Sequence, residues 1–292
     1  MRVDLLAGVT YNPAVMPSPV PTILVFDSGL GGLTVFAEVL KVRPDARYVY
    51  AADDAGFPYG RLSEAVLAER VVAVMERLIG LHDPDIVVIA CNTASTVALP
   101  HLRRRFSVPF IGTVPAIKPA ARTTRTGAIS VLATPGTVAR DYTRDLIDTY
   151  AAGCKVNLVG SRRLAGFAEA ELAGIPVPDH DLLEEILPCF VEDEGRRTDV
   201  VALSCTHYPL LLARFQALAP WPVTWIDPAP AIARRVIQLI GEPVPGHEAD
   251  DDEAIAVFTD GAGIGAPLRS ALHARGLSQV VMEPWPMRLN GE

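Results

Sequence analysis

Short apolar runs alternate with helical patterns along the chain from residue 22 onward. The runs are continuously apolar, as expected for parallel strands that are covered on both faces. Residues 63–80 repeat their apolar side chains with the period of a helix. Strand, helix and strand in this order predict an α/β fold of doubly wound parallel sheets, with ligands beyond the carboxyl ends of the strands. The predicted strands span residues 22–26, 47–51, 85–90, 109–112, 128–133, 155–159, 199–203, 223–226, 254–258 and 279–282.

Length and charge limit the classes of protein to which the chain can belong. Its 292 residues suffice for two α/β domains of ordinary size or one large domain. The net charge of −8 argues against nucleic acid or an anionic membrane as a partner, because both bind basic surfaces. No apolar run reaches the roughly 18 residues of a membrane span. Residues 1–21 lack a signal-peptide pattern and contain four prolines, which predicts a flexible leader before the first strand.

The chain has four cysteines, Cys91, Cys154, Cys189 and Cys205. Their spacing fits neither a structural zinc site nor a disulfide framework, which predicts no bound metal and a location in the reducing cytoplasm. Cys91 and Cys205 each follow a predicted buried strand and precede polar residues and a helix. One such cysteine is usually a small buried side chain. Two in matching settings favour a chemical role, because backbone N–H groups and the helix dipole stabilise a thiolate there.

Further polar residues follow the first two predicted strands. Asp27 and Ser28 lead into the glycine-rich turn 29–32, whose N–H groups can approach an anion. The spacing is not that of a dinucleotide-binding turn, and Asp27 would repel phosphates. Asp27 could instead cap a helix, and the loop 53–60 after the second strand could be a plain turn. Because the carboxyl ends of parallel strands meet at one edge of a sheet, we expect both to border the cleft that contains Cys91.

Four segments among these residues resemble the signature segments of the glutamate racemase family. They are residues 26–34, 58–60, 90–94 and 205–209, and they follow the family's order and spacing over nearly the whole chain. The resemblance implies two doubly wound parallel-sheet domains with a pseudo-twofold relation and an active site in the cleft between them. The domains would comprise residues 22–115 with 226–292, and residues 116–225. It also implies a homodimer.

The same resemblance implies that the enzyme interconverts L- and D-glutamate with two bases and with no cofactor, and supplies D-glutamate for peptidoglycan. One cysteine would remove the α-proton as a thiolate while the other, as a thiol, protonates the opposite face. Cys91 would act on D-glutamate and Cys205 on L-glutamate, with Asp27, His207 and Glu169 as auxiliary groups. Besides the cysteines, Asp27 and His207, the substrate contacts would be Ser28, Pro58, Tyr59, Gly60, Asn92, Thr93, Thr137 and Thr206.

General chemistry agrees with this interpretation. The α-hydrogen of an amino acid is a very weak acid, so its removal needs a desolvated base and fixed donors for the developing charge. The chain departs from the family pattern at Ser204, where glycine often precedes the second cysteine, and in the turn 112–116 and residues 227–229. The turn lies close enough to the predicted cleft to bear on substrate preference.

Two alternatives differ in what the cysteines do. An aspartate racemase of the same superfamily resembles Cys-Thr-Glu at the second cysteine, where this chain has Cys205-Thr206-His207. Hydantoin racemases and arylmalonate decarboxylases are more distant, and the decarboxylases keep only one of the two cysteines. An amino-acid-binding module with inactive cysteines would bind the ligand without exchanging its α-proton.

Overall fold

The computed structural model describes residues 20–244 and 254–286, so the predicted leader lies almost entirely outside the described residues. In chain order the elements are β1 (Thr22–Asp27), α1 (Leu33–Val42), β2 (Arg47–Ala52), α2 (Glu64–His82), β3 (Ile86–Ile89), α3 (Asn92–Arg105), β4 (Phe110–Gly112), α4 (Ile117–Thr123), β5 (Ala128–Ala133), α5 (Pro135–Val138), α6 (Asp141–Tyr150), β6 (Lys155–Gly160), α7 (Leu164–Leu172), α8 (Asp179–Ile186), β7 (Glu192–Asp193), β8 (Arg196–Arg197), β9 (Val200–Ser204), α9 (Leu212–Leu218), β10 (Thr224–Ile226), α10 (Ala229–Ile240), β11 (Ala254–Phe258), α11 (Ala266–His273) and β12 (Gln279–Met282).

Ten of these strands form two parallel sheets. The first sheet has six strands in the order β12-β11-β2-β1-β3-β4, and the second has four in the order β10-β9-β5-β6. Both the predicted α/β class and the two parallel sheets are confirmed, and each predicted strand end lies within one residue of the observed one. The short antiparallel pair β7 and β8 was not predicted, because two-residue polar strands leave no apolar pattern.

Helices cover both faces of each sheet. In β1, Ile23 and Val25 pack against α1, α10 and α11, whereas Leu24 and Phe26 pack against α2 and α3. The second sheet is enclosed in the same way, by α7, α8 and α9 on one face and by α4 and α6 on the other. Burial on both faces explains why the strands are continuously apolar in sequence.

The chain enters the second sheet after β4 and returns to the first after β10. Ile226 pairs with Ala202 in the second sheet, and α10 then packs against α1 in the first. These contacts agree with a chain that passes from the first sheet to the second near residue 116 and back near residue 226. The domain limits themselves stay a prediction. No helix within residues 20–244 and 254–286 has both the length and the apolar character that crossing a membrane requires.

Each sheet has one point where the strand order reverses. In the first sheet β1 lies between β2 and β3, and in the second β5 lies between β6 and β9. Ligands of open α/β sheets bind beyond the strand ends at this reversal. Cys91 follows β3 at the first reversal point, and Cys205 follows β9 at the second.

A buried ion pair lies just after α1, and its arginine also binds the end of α10. Arg43 Nε and Nη2 donate to the two carboxylate oxygens of Asp45 over 2.8 Å, and both side chains are at most 2% exposed. Arg43 Nη1 also donates to the carbonyls of Ile240 and Gly241. Burial acts to raise the pKa of Asp45, but the hydrogen bonds and charge of Arg43 outweigh it and lower the pKa. The pair therefore anchors the returning chain to the first sheet.

Replacing Arg43 by Met should lower the free energy of unfolding by about 3 kcal/mol, because the Asp45 carboxylate would stay buried without its partner. Lys41→Met is the control: its exposed ammonium pairs with Glu38 at the surface, and we expect a change below about 0.5 kcal/mol. Urea unfolding at neutral pH measures both.

The same pair makes stability depend on pH. The pKa of Asp45 is lower in the folded protein, so its contribution is present above the ordinary carboxyl pKa of about 4 and is lost as pH falls through the folded-state value. The difference between Arg43→Met and the wild type should therefore shrink in acid. A difference that stays constant down to the acid transition would contradict this electrostatic origin.

Candidate active site

Cys91 lies between the end of β3 and the first turn of α3. Its side chain is 6% exposed, and its Sγ accepts from the Ala94 amide at 3.5 Å and lies 3.8 Å from Ser28 Oγ. Burial raises the pKa of the Cys91 thiol, and the nearby Asp27 carboxylate raises it further. The Ala94 amide and Ser28 act in the opposite direction, as a helix N-terminus is expected to do. Burial outweighs them, so the protonated form of Cys91 is favoured in this conformation.

Cys205 follows β9 directly and is 8% exposed. Its Sγ lies 3.8 Å from Nδ1 of His207, two residues further along. His207 is buried, with its ring 5.5 Å from the ring of Phe57. Burial acts to lower the pKa of His207, but hydrogen bonds to Cys205 and Glu169 outweigh it and raise the pKa well above its usual range. A positive charge at His207 is therefore favoured beside the second sulfur.

His207 Nε2 has two neighbours that it cannot satisfy at once. It lies 2.7 Å from Glu169 Oε1 and 3.2 Å from the backbone N of Gly31. With a proton on Nε2 the ring donates to Glu169, and without that proton it accepts from Gly31. Glu169 Oε1 also accepts from the Leu30 amide at 2.7 Å. The ring thus connects α7 to the glycine-rich turn after β1.

Asp27 ends β1 and is fully buried. Its Oδ2 accepts from the Gly32 amide at 2.7 Å and from Thr206 Oγ1 at 3.3 Å, while Oδ1 has no well-oriented donor among the described residues. Burial raises the pKa of Asp27, and the charge of His207 partly opposes the rise. Asp27 is therefore an ionisable neighbour of Cys91, as His207 is of Cys205.

A cavity of about 30 Å³ lies between the carboxyl ends of the two sheets. Ten of the predicted site residues line it, and the rest of its lining was not predicted. The predicted ones are Ser28, Pro58, Tyr59, Gly60, Cys91, Asn92, Thr93, Cys205, Thr206 and His207, and the others are Phe57, Thr134, Ala165 and Ser204. Both cysteines thus border a single cavity from opposite sheets.

Three predicted site residues do not line the cavity. Asp27 and Glu169 lie behind it and contact Thr206 and His207. Thr137 is buried behind Thr134, its hydroxyl 3.1 Å from the Thr134 hydroxyl. Of the two threonines, Thr134 is therefore the one that lines the cavity. Its position directly after β5 could have indicated this from the sequence.

Apart from His207, the hydrogen-bond donors that line the cavity are backbone groups and neutral side chains. None of the described residues that line it is Lys or Arg. The amide groups of Tyr59 and Gly60 begin a 3-10 turn, and no described group accepts from them. The side-chain amide of Asn92 and the hydroxyl of Ser204 are buried without partners among the described residues. Buried polar groups of this kind are normally satisfied, so they are suited to bind a polar ligand.

Sequence reasoning missed Arg140. It follows α5 beside the second sheet, yet its guanidinium donates to the Thr93 carbonyl at 3.2 Å and to the Thr96 hydroxyl in α3. Its side chain is 12% exposed, and its positive charge interacts favourably with a Cys91 thiolate. No motif marks a lone arginine in a polar loop, so only the folded chain brings it to this place.

All four cysteines are free. In the part of the chain that the structure describes, no group of three His, Cys, Asp or Glu side chains has an arrangement that could hold a metal ion.

The chain is similar in sequence and structure to several known proteins. The Asp/Glu/Hydantoin racemase family model matches residues 35–236. The glutamate racemase of Brucella anthropi is 54% identical over 85% of this chain and 91% of its own length, and that of Rhizobium meliloti is 56% identical over 82% and 86%. The crystal structure of Escherichia coli glutamate racemase with L-glutamate and the activator UDP-MurNAc-ala has a TM-score of 0.82 at 40% identity, over 90% of this chain and 98% of that one.

The turn after β1 has no room for a side chain at Gly31. A Cβ there would lie 2.4 Å from His207 Nδ1 and 2.6 Å from the His207 backbone nitrogen. Because the backbone nitrogen is held by the second sheet, Gly31→Ala should destabilise the protein by about 1–3 kcal/mol. Thermal unfolding of the variant measures the loss.

Gly80→Ala is the matched control. Gly80 lies in α2 with no atom within 4 Å of an added Cβ, so this variant should be more stable by up to about 1 kcal/mol. Equal stability of Gly31→Ala and the wild type would show that the two sheets do not approach this closely in solution.

Proposed function

The chain belongs to the Asp/Glu/Hydantoin racemase family, and we propose that it interconverts L- and D-glutamate by proton transfer between two cysteines, without a cofactor. The observation that carries this proposal is the placement of Cys91 and Cys205, which border one buried cavity from the reversal points of two different sheets. Inversion at a carbon atom requires a base on one face and an acid on the other. Two sulfurs in opposed sheets supply both without the substrate turning over.

The proton balance sets the state of the enzyme after each turnover. With D-glutamate bound, the Cys91 thiolate takes the α-proton, and the Cys205 thiol gives its proton to the opposite face of the carbanion. The product is L-glutamate, with a Cys91 thiol and a Cys205 thiolate. That form of the enzyme is ready for L-glutamate, and the reverse steps regenerate the first form. No net proton is consumed, so the sulfurs and their neighbours need only exchange protons with each other or with solvent.

The ionisable neighbours suit these two states. A protonated His207 beside Cys205 stabilises the thiolate that forms there, and Glu169 stabilises that protonated ring. Asp27, whose pKa is raised by burial, is able to hold a proton near Cys91. Because burial raises the pKa of Cys91, its thiolate is a strong base once it forms. Such a base is needed for a proton as weakly acidic as that of an amino-acid α-carbon.

We assign the substrate carboxylates to the neutral donors of the cavity. The free amides of Tyr59 and Gly60 and the first amides of α3 lie at the positive ends of helical segments, where an anion is stabilised. Asn92 and Ser204 add side-chain donors. Fixed dipoles of this kind stabilise the charge that develops on the α-carboxylate when the proton leaves.

The place of this reaction in the cell follows from the resemblance to the family. We propose that the enzyme supplies D-glutamate for bacterial peptidoglycan, that it works in the cytoplasm and that it forms a homodimer. Size-exclusion chromatography with light scattering tests the last of these directly.

Cys91→Ser and Cys205→Ser should each lose at least about a thousandfold in racemisation of either enantiomer, because each turnover uses both sulfurs. Circular dichroism of L- or D-glutamate solutions measures the rate. Cys154→Ser is the matched control, since Cys154 is a half-buried free cysteine outside the cavity and its replacement should leave the rate unchanged.

Exchange of the α-hydrogen in heavy water separates the racemase from a binding module. The wild type should incorporate deuterium into both enantiomers, because the proton taken by one sulfur is not the one delivered by the other. If glutamate binds in calorimetry while neither enantiomer exchanges, the chain is a binding module and the proposal is wrong. Rapid racemisation of aspartate with slow racemisation of glutamate would instead favour the aspartate alternative.

Glu169→Gln should move the basic limb of the pH–rate profile to lower pH. Glu169 helps to raise the pKa of His207, so without its charge the ring loses its proton at a lower pH. Glutamine keeps an oxygen that can accept from the Leu30 amide. The measurement is kcat/KM against pH, which must change equally in both directions because the equilibrium constant between enantiomers is unity.

Glu171→Gln serves as the control for this shift. Glu171 lies on the same helix but pairs with Arg214, away from the cavity. Its profile should match that of the wild type. If the basic limb of the Glu169→Gln profile stays at the wild-type pH, deprotonation of His207 is not the event that causes this limb.

A further inference from the structure

A buried carboxylate outside the cavity holds the loop that carries two of its donors. Asp53 follows β2, is fully buried, and accepts hydrogen bonds from Arg70, Thr259 and Tyr59. Arg70, on α2, donates to both carboxylate oxygens, from Nε over 2.6 Å and from Nη2 over 2.7 Å. Such a bidentate pair fixes both partners in one plane.

The Tyr59 hydroxyl fixes the loop from inside. Burial raises the pKa of Tyr59 well above its usual range, and the Asp53 carboxylate raises it further, so the phenol keeps its proton and donates it to Asp53. Tyr59 is therefore not a side-chain donor for a ligand. Tyr59 and Gly60 both line the cavity, and neither backbone amide has an acceptor among the described residues, so the position of these two amides depends on where the ring is anchored.

The adjacent carboxylate ties the same loop to the segment that follows β11, the strand next to β2. Asp54 accepts from the amides of Thr259, Asp260 and Gly261 over 2.7–2.8 Å. Together Asp53 and Asp54 leave the start of the loop little freedom. Among the described residues that donate to Asp53 and Asp54, Arg70 is the only one on α2, so it links the loop to that helix.

Arg70 also has an electrostatic effect at the cavity. Asp53 is a buried carboxylate on the loop that must accept an anionic substrate, and like charges repel strongly where water is excluded. The Arg70 guanidinium compensates this charge. The Trp285 ring covers it from outside, with its centroid 4.2 Å from the guanidinium carbon, and keeps water from the pair.

We propose that Arg70 is a positioning residue for substrate binding. It neutralises Asp53 and, through Asp53 and Tyr59, holds the Tyr59 and Gly60 amides where they bind a substrate carboxylate. This inference rests on the proposed glutamate racemase activity. Arg70 itself does not line the cavity, so it acts equally on bound substrate and transition state, and its loss should raise KM more than it lowers kcat.

The test compares substitutions at Arg70 with one that also removes the carboxylate charge. Arg70→Met should raise KM for both enantiomers at least about tenfold, because it breaks charged hydrogen bonds and leaves Asp53 uncompensated. Arg70→Lys keeps the charge without the planar fork and should lie between Arg70→Met and the wild type. Arg70→Met combined with Asp53→Asn should recover part of the affinity, since no buried charge is left unpaired.

Arg77→Met is the control, because Arg77 lies on the same helix and pairs with Glu283, whereas the described side chains that donate to the Asp53 carboxylate are Arg70, Tyr59 and Thr259. Its KM should match the wild-type value. A purely structural role for Arg70 predicts lower thermal stability with unchanged KM in the folded fraction, so thermal unfolding is recorded for each variant. If Arg70→Met does not fold, Arg70→Lys and the double variant decide the question.

The inference is overturned if the folded Arg70 variants keep KM within about twofold of the wild type, or if kcat alone falls. It is also overturned if the double variant binds no better than Arg70→Met. Failure of the proposed activity looks different, because the wild type itself would then not racemise glutamate. In that case the dissociation constant for D-glutamate, measured by calorimetry on the same variants, replaces KM.

Discussion

The site depends on hydrogen bonds that cross between the two sheets at the turn after β1. The Leu30 amide donates to Glu169, the Thr206 hydroxyl donates to Asp27, and His207 Nε2 lies 3.2 Å from the Gly31 nitrogen. All of these groups are buried or nearly so, and each would lose a partner in the opposite sheet if the sheets separated. The glycines of the turn are required because a Cβ at Gly31 would overlap His207. Thus each half of the molecule completes the environment of the other half's sulfur.

Exclusion of water explains the composition of the cavity. In the proposed mechanism the base that removes an α-proton must be poorly solvated, and Cys91 and Cys205 are each less than a tenth exposed. A lysine or arginine beside the substrate would hold its carboxylates tightly but would also stabilise a resting thiolate and weaken it as a base. Backbone amides and neutral side chains supply the donors instead, and the nearest compensating arginines, Arg70 and Arg140, act from behind the lining.

Much of this arrangement could be predicted from the chain alone. Uninterrupted apolar runs located the parallel strands, and the rule that strand ends share an edge brought Asp27, the loop 53–60 and Cys91 together. Glu169 could be proposed only from the family resemblance, because its approach to His207 depends on how α7 packs. Arg70 and Arg140 had no local signal, since an arginine on a helix or in a polar loop usually has no such role. Contacts between segments that are far apart in the sequence leave no local pattern from which they could be predicted.

The size of the cavity has a consequence for how fast such an enzyme can work. About 30 Å³ holds one or two waters, far less than the roughly 300–1,000 Å³ of a typical ligand pocket. We expect an amino acid to enter or leave only after the lining residues, which are joined across the sheets at the glycine turn, have moved apart. Every catalytic cycle then includes two mechanical events besides the chemistry, one before it and one after. A substrate able to replace those contacts with its own lowers the free energy of closing, so selection can occur during closure, before any proton has moved.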